Sequence, residues 1–232
     1  MRRRFLTAVL ATAALAVLFL SSSCAGDRIP QARVQGSRFT LGFVPGPYYK
    51  YVSWRNVFPV LIYPQMACWV ESEDGLFLGT IYATAKGARG SWISAPAGGR
   101  PEALPVWTRA SSLAKGAPAA VDAVSGPTPT GAAERDSTLA AGLAPGTYLI
   151  KLEVNRSYDY NEAFTPANSG VDGQPSLIYE GEIEVGRGAS RAVLRPFGEG
   201  AVDGSDGEVR PGLAGMTTAL RLLDSVEVDY SL

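Results

Sequence analysis

The sequence predicts an all-β chain folded as an antiparallel sandwich. Three observations carry this: short apolar runs divided by turn residues, one segment of unbroken two-residue alternation, and no convincing helical apolar period after the first 23 residues. The chain holds 26 Gly and 16 Pro, and they fall between the apolar runs instead of interrupting long ones. Many short strands joined by turns, without intervening helices, are the pattern of packed antiparallel sheets.

The N-terminus reads MRRRFLTAVLATAALAVLFLSSSCAG. Arg2, Arg3 and Arg4 precede an apolar run from Phe5 to Leu20, and Ser21 to Ser23 lead to Cys24. A basic start, a short apolar segment and small residues before a cut form a secretory signal. The run is shorter than the roughly 20 residues that span a bilayer comfortably. Cys24 directly after small residues resembles a bacterial lipobox, in which the thiol is diacylated and becomes the mature N-terminus. Ser21 stands where the usual leucine would be, with Leu20 one place further out. Residues 1–23 are expected to be the signal peptide, and 24–37 the lipidated cysteine and a polar tether; the alternatives are a cleaved soluble secreted protein and an uncleaved membrane anchor. The sandwich, with long Gly-rich loops, is expected over 38–232.

The clearest strand is Gly146–Val154 (GTYLIKLEV). Tyr148, Ile150, Leu152 and Val154 share one face, expected in a core; Leu149, Lys151, Glu153 and Asn155 share the other, expected largely in water. Ala144-Pro145-Gly146 launches it as a turn. Strands are also expected at 38–44, 59–63, 67–71, 76–84, 104–109, 177–185, 190–195 and 225–230. In the last of these Val226, Val228 and Tyr230 alternate with Glu227 and Asp229. Gly186-Arg187-Gly188 has hairpin chemistry. Thr217–Leu223 is too short to read as a helix. Residues 86–101 and 202–215 read as long Gly-rich loops, a length that goes with function or mobility.

Composition removes several chemistries. There is no histidine, which excludes Ser-His-Asp and Cys-His catalysis and histidine-ligated zinc. With Cys24 acylated, Cys68 has no disulfide partner, and its MACWV setting suits a small buried hydrophobe. A net charge of −1 with scattered Lys and Arg points away from nucleic acid. No motif marks a nucleophile elbow or a phosphate loop; a glycosidase carboxylate pair has no motif here either, but its separation is three-dimensional, so a carboxylate hydrolase stands as a third class.

Four segments, FLGTIYAT (77–84), LPVWTRAS (104–111), VDAVSGPTPTG (121–131) and LAPGTYLIKLEVNRSYDYNE (143–162), together resemble the bacterial predicted periplasmic proteins of domain-of-unknown-function family 2271. The resemblance covers about residues 64–185. APGTY also resembles the strand-F start of immunoglobulin-like domains, where a tyrosine anchors the corner. Through the same strand the chain is remotely similar to modules of flagellar hook-capping proteins. An immunoglobulin-like sandwich is the implied fold; fold likeness of that kind says little about function.

Asp122-Ala123-Val124-Ser125-Gly126-Pro127-Thr128 is similar to the acceptor motif of covalently flavinylated bacterial proteins. There a flavin transferase links the FMN phosphate to the last hydroxyl, here Thr128, with Asp122, Ser125 and Gly126 as motif residues. Pro127 replaces the motif's alanine, and Pro129 restricts Thr128 to extended geometry. The alternative is a rigid connector between the 104–109 and 146–154 strands, with Asp122 paired to a backbone amide.

Other motifs are weighed likewise. Trp69 and Trp107 lie in strand-like runs and are expected in the core. Trp92, in SWIS, is either a ligand contact or an aromatic folded back on the sandwich edge. Tyr48, Tyr49 and Tyr51, like Tyr158 and Tyr160, suit sugar or peptide contact, or strand ends. Asp203-Gly204-Ser205-Asp206-Gly207-Glu208 suggests calcium, yet its spacing fits no EF-hand and a pair of Asp-Gly turns fits better. No metal site is expected.

The expected function is a non-enzymatic lipoprotein of the bacterial cell envelope, membrane-bound through Cys24 and facing the periplasm or the cell surface. It would bind or organise envelope proteins without a cofactor. The alternative is an extracytoplasmic electron-transfer protein with covalent FMN on Thr128.

Overall fold

The computed structural model describes residues 36–55, 58–89, 100–114 and 124–232. In chain order its elements are β1 (Arg38–Pro45), β2 (Tyr51–Arg55), β3 (Phe58–Ile62), β4 (Gln65–Ser72), β5 (Phe77–Thr84), α1 (Ala85–Arg89) and α2 (Pro105–Leu113). Then follow β6 (Val124–Gly126), β7 (Ala133–Ser137), β8 (Gly146–Asn155), β9 (Leu177–Val185), β10 (Ser190–Val193), β11 (Arg195–Glu199), β12 (Arg210–Pro211) and β13 (Leu223–Ser231). Two sheets pack face to face as a sandwich. The smaller has the order β10-β13-β1-β7 and the larger β12-β11-β9-β8-β4-β5-β6, with β2 and β3 forming a separate hairpin. Among the described residues all strand pairs are antiparallel except β5 with β6, which is parallel.

Alternation builds the core between the sheets. Phe39, Leu41 and Phe43 of β1 and Val226, Val228 and Tyr230 of β13 face Met66, Cys68 and Val70 of β4 and Ile150, Leu152 and Val154 of β8. Each fully buried side chain of this size contributes roughly 1.5–3 kcal/mol over its exposed state. Burial pushes the Cys68 thiol far above its ordinary value, so it stays protonated and inert. The Tyr148 hydroxyl donates to the Ala144 carbonyl at 2.7 Å and closes a tyrosine corner at the start of β8.

Three expectations are corrected. Residues 104–109 are not a strand: Leu104 leads into helix α2, with Pro105 in its first turn. Proline's fixed φ suits that position, and the first free amides, Val106 and Trp107, donate to the Glu153 carboxylate at 3.2 and 2.8 Å. The second face of β8 is not largely in water either, because Glu153 and Asn155 are buried. Helix α2 covers that face, and Leu104, Val106 and Trp107 form a second core there with Ala67, Trp69, Ala83 and Ile178. Trp69 and Trp107 are therefore core residues, on the outer side of the larger sheet.

The third correction concerns Gly186-Arg187-Gly188. It does not join a hairpin, since β9 belongs to the larger sheet and β10 to the smaller. Gly186 and Gly188 take φ of 90° and 107° to turn the chain across the sandwich. At Leu194 the strand bends, and β11 rejoins β9 in the larger sheet. The crossing runs close over Gly181, where a Cβ would stand 3.1 Å from the Val193 carbonyl oxygen. Strands that switch sheets in this way form the corners of sandwiches.

Candidate functional site

The structure places part of the VDAVSGPTPTG segment. Asp122 lies outside the described residues, as do Cys24 and Trp92. Val124–Gly126 form the edge strand β6, with Ser125 opposite Ala83 of β5. The expected connector between 104–109 and 146–154 is instead a crossing. Residues 127–132 carry the chain from β6, at the edge of the larger sheet, to β7, at the edge of the smaller one. Both ends of the Pro-Thr-Pro unit are held by phenols: Tyr82 donates to the Pro127 carbonyl at 3.1 Å and Tyr49 to the Pro129 carbonyl at 2.8 Å. Burial raises both phenols above their ordinary value, Tyr49 far above it, so each remains a donor at physiological pH. Pro129 is buried, Pro127 and Thr130 are exposed, and Thr128 is half-buried between them. A Cβ on Gly126 would meet the Tyr82 ring at 3.5 Å, ordinary contact, so packing alone does not require glycine there.

The buried ionisable groups form internal ties. Glu153 accepts from Val106 and Trp107 N–H and, at 2.6 Å, from Ser176. Burial pushes its carboxyl up to about 7, while those three donors pull it down. Gly200 closes over it so tightly that a Cβ there would stand 2.4 Å from Ser176 Oγ. Its raised value thus reflects a sealed helix anchor. Glu71 bridges the Trp69 indole and Lys151, each at 2.7 Å.

A second network lies along 156–176. Arg156 donates to Asp159 at 2.5 Å and to the Tyr48 carbonyl at 2.6 Å, and Thr218 donates to the same Asp159 oxygen at 2.6 Å. Asp172 accepts from Arg100 and from Ser157. Burial raises both carboxyls, and the neighbouring guanidiniums oppose it. Each carboxylate is held by an arginine. Asp203 and Asp206 cap the amides of Ser205 and Glu208, and Asp206 also pairs with Arg210 at 2.7 Å, the geometry of Asp-Gly turns. Among the described residues no group of three or more potential ligands converges on a metal position.

The feature that sequence reading missed is the β2–β3 hairpin. Only its second strand was expected. Tyr51, Val52, Trp54, Phe58, Val60 and Leu61 stand 40–73% exposed on a two-stranded sheet of its own. Tyr49 and Tyr63, with ring centroids 6.0 Å apart, close its base, and the Arg156 guanidinium lies 5.4 Å from the Tyr51 ring. The signal was present: YVSWR and FPVLI are two apolar-rich runs divided by Asn56-Val57. No protein-family model, curated protein or solved structure matches this chain.

Proposed function

We propose that the protein is a lipoprotein of the bacterial cell envelope, anchored through Cys24, whose sandwich serves as a non-catalytic binding or organising module. The observation that carries this is the hairpin. Six large apolar side chains held in water on a separate two-stranded sheet mark a contact surface. The buried acids support it: both oxygens of Glu153 accept from the protein's own donors, and Asp159 and Asp172 are each held through one oxygen. The N-terminal pattern, a basic start and an apolar run ending in Ser-Ser-Ser-Cys, supplies the anchor. Intact mass of the protein isolated from its host membranes is expected to show acyl chains on Cys24, and Cys24→Ser to remove them. Mature protein recovered without acyl chains from the soluble fraction would overturn the anchor.

A second function is favoured by a separate observation. Thr128 is half-buried on a crossing whose backbone is held on both sides by Tyr82 and Tyr49, beside the exposed Pro127 and Thr130. Together with the motif resemblance, this supports esterification of FMN at Thr128 and an electron-transfer role. Co-expression with a flavin transferase is then expected to add the mass of one FMN less one water. Thr128→Ala should abolish the increment, and an unchanged mass in the parent protein would dispose of the idea.

A further inference from the structure

We propose that the β2–β3 hairpin inserts into the surface of an anionic lipid bilayer, the membrane that also holds Cys24. The choice of bilayer rests on the anchored-module reading above; the insertion rests on the hairpin itself.

Directly opposed residues of an antiparallel pair share a face. Val52 pairs with Leu61 and Trp54 with Pro59, and these four form one exposed apolar face. Tyr51 pairs with Ile62 and Ser53 with Val60, and Phe58 lies on the same side as these. On that face Tyr51, Phe58 and Val60 stand 40–73% exposed, with Ser53 among them and Arg55 opposite Phe58 at the end away from the base. A groove on a protein covers one face of a hairpin and leaves the other wet. A lipid surface surrounds both faces at once, and Trp and Tyr favour the boundary where an apolar ring and a polar edge are both satisfied.

Length and charge agree. Five-residue strands extend about 17 Å, enough to place the apolar faces in the headgroup and upper acyl region while the base stays in water. The unpaired outer edges of both strands restrict entry to this shallow depth, about 5–10 Å, where water still reaches the backbone. From Tyr48 to Val70 the sequence carries Lys50 and Arg55 and no carboxylate, a balance suited to anionic headgroups.

The test uses the mature protein as isolated, in vesicles of phosphatidylcholine and phosphatidylglycerol with brominated acyl chains. Trp54 is read as the difference between the parent and Trp54→Phe, a substitution at a site 69% exposed that leaves the core intact. Insertion to the depth above is expected to quench Trp54 about twofold relative to unbrominated lipid and to shield it from aqueous iodide. Trp54 quenched by iodide and not by bromine overturns the proposal. So does Trp54 shielded from both in a sample that sediments as a dimer, which assigns the hairpin to a second copy. Intact mass on the same sample separates the two levels. Quenching without acyl chains removes the anchor and leaves the hairpin; acylation without quenching removes the hairpin and leaves the anchor.

Discussion

At the scale of single residues, Glu153 is a carboxylate fixed where water cannot follow. Its folded value of about 7 lies above the 4.5 of the free side chain, and burial is the main cause. Between those values the folded state holds a proton that the unfolded state has released. Stability from this group is therefore full below about pH 4.5 and is lost as pH rises through 7, on the order of 3 kcal/mol in all. Asp159 and Asp172 are raised as well and tilt stability the same way. The test is the difference between the parent and Glu153→Gln. Urea midpoints measured from pH 5 to 8 should fall more steeply in the parent; parallel profiles would remove Glu153 as the cause. The variant should also be less stable at pH 5, because an amide nitrogen cannot accept from the Trp107 or Val106 N–H. A second residue-scale prediction concerns Tyr49. Tyr49→Phe deletes the buried bond to the Pro129 carbonyl and should cost about 1–3 kcal/mol by chemical denaturation. It should also speed amide exchange at Thr128 and Thr130. Unchanged exchange there would mean that Tyr82 alone fixes the crossing.

At the scale of elements, helix α2 shows that four apolar residues do not declare their own structure. Leu104–Trp107 reads equally as a buried strand or as one helical turn. The deciding partner, Glu153, is 46 residues from Trp107 in the chain. Strands whose inner and outer residues alternate, such as β8, β13 and the start of β1, were legible because period two survives in the letters. The hairpin was only half legible, because both its faces are apolar and no alternation remains. Gly186-Arg187-Gly188 has a chemistry that permits either a hairpin or a sheet-to-sheet corner, and its letters do not choose between them. The neighbours of Thr128 were hidden for the same reason as α2: Tyr49 and Tyr82 reach its flanking carbonyls across 80 and 45 residues. Helix α2 yields a prediction of its own. Trp107 fills the second core, and its indole donates to Thr80 at 3.0 Å. Trp107→Ala should cost about 3–5 kcal/mol, whereas Leu113→Ser, at a side chain 75% exposed on the same helix, should change stability by less than about 0.5 kcal/mol. Equal losses at the two positions would show that α2 does not cover the sheet as a packed layer.

At the scale of the whole molecule, a sandwich closed on its own core carries an apolar element that stays outside it. The inner faces of the two sheets bury Phe39, Leu41, Ile150, Leu152 and Val228 completely, while the hairpin leaves Trp54 and Phe58 mostly in water. A segment that adds little burial on folding adds little to stability, however apolar it is. Its base is closed by the Tyr49–Tyr63 ring contact, which lies outside the two strands. Replacing residues 51–62 by a short Gly-Ser turn should therefore lower the unfolding free energy by no more than about 1 kcal/mol, most of it from the Arg156–Tyr51 cation–π contact. The same deletion should raise the concentration at which the lipid-free protein begins to aggregate, since it removes the apolar patch and not the core. Urea denaturation and light scattering on the deletion variant measure the two effects separately. A stability loss of several kcal/mol would place the hairpin within the cooperative unit. It would then be a strut of the sandwich whose exposed face is incidental, and the contact role would have to move to the Thr128 crossing.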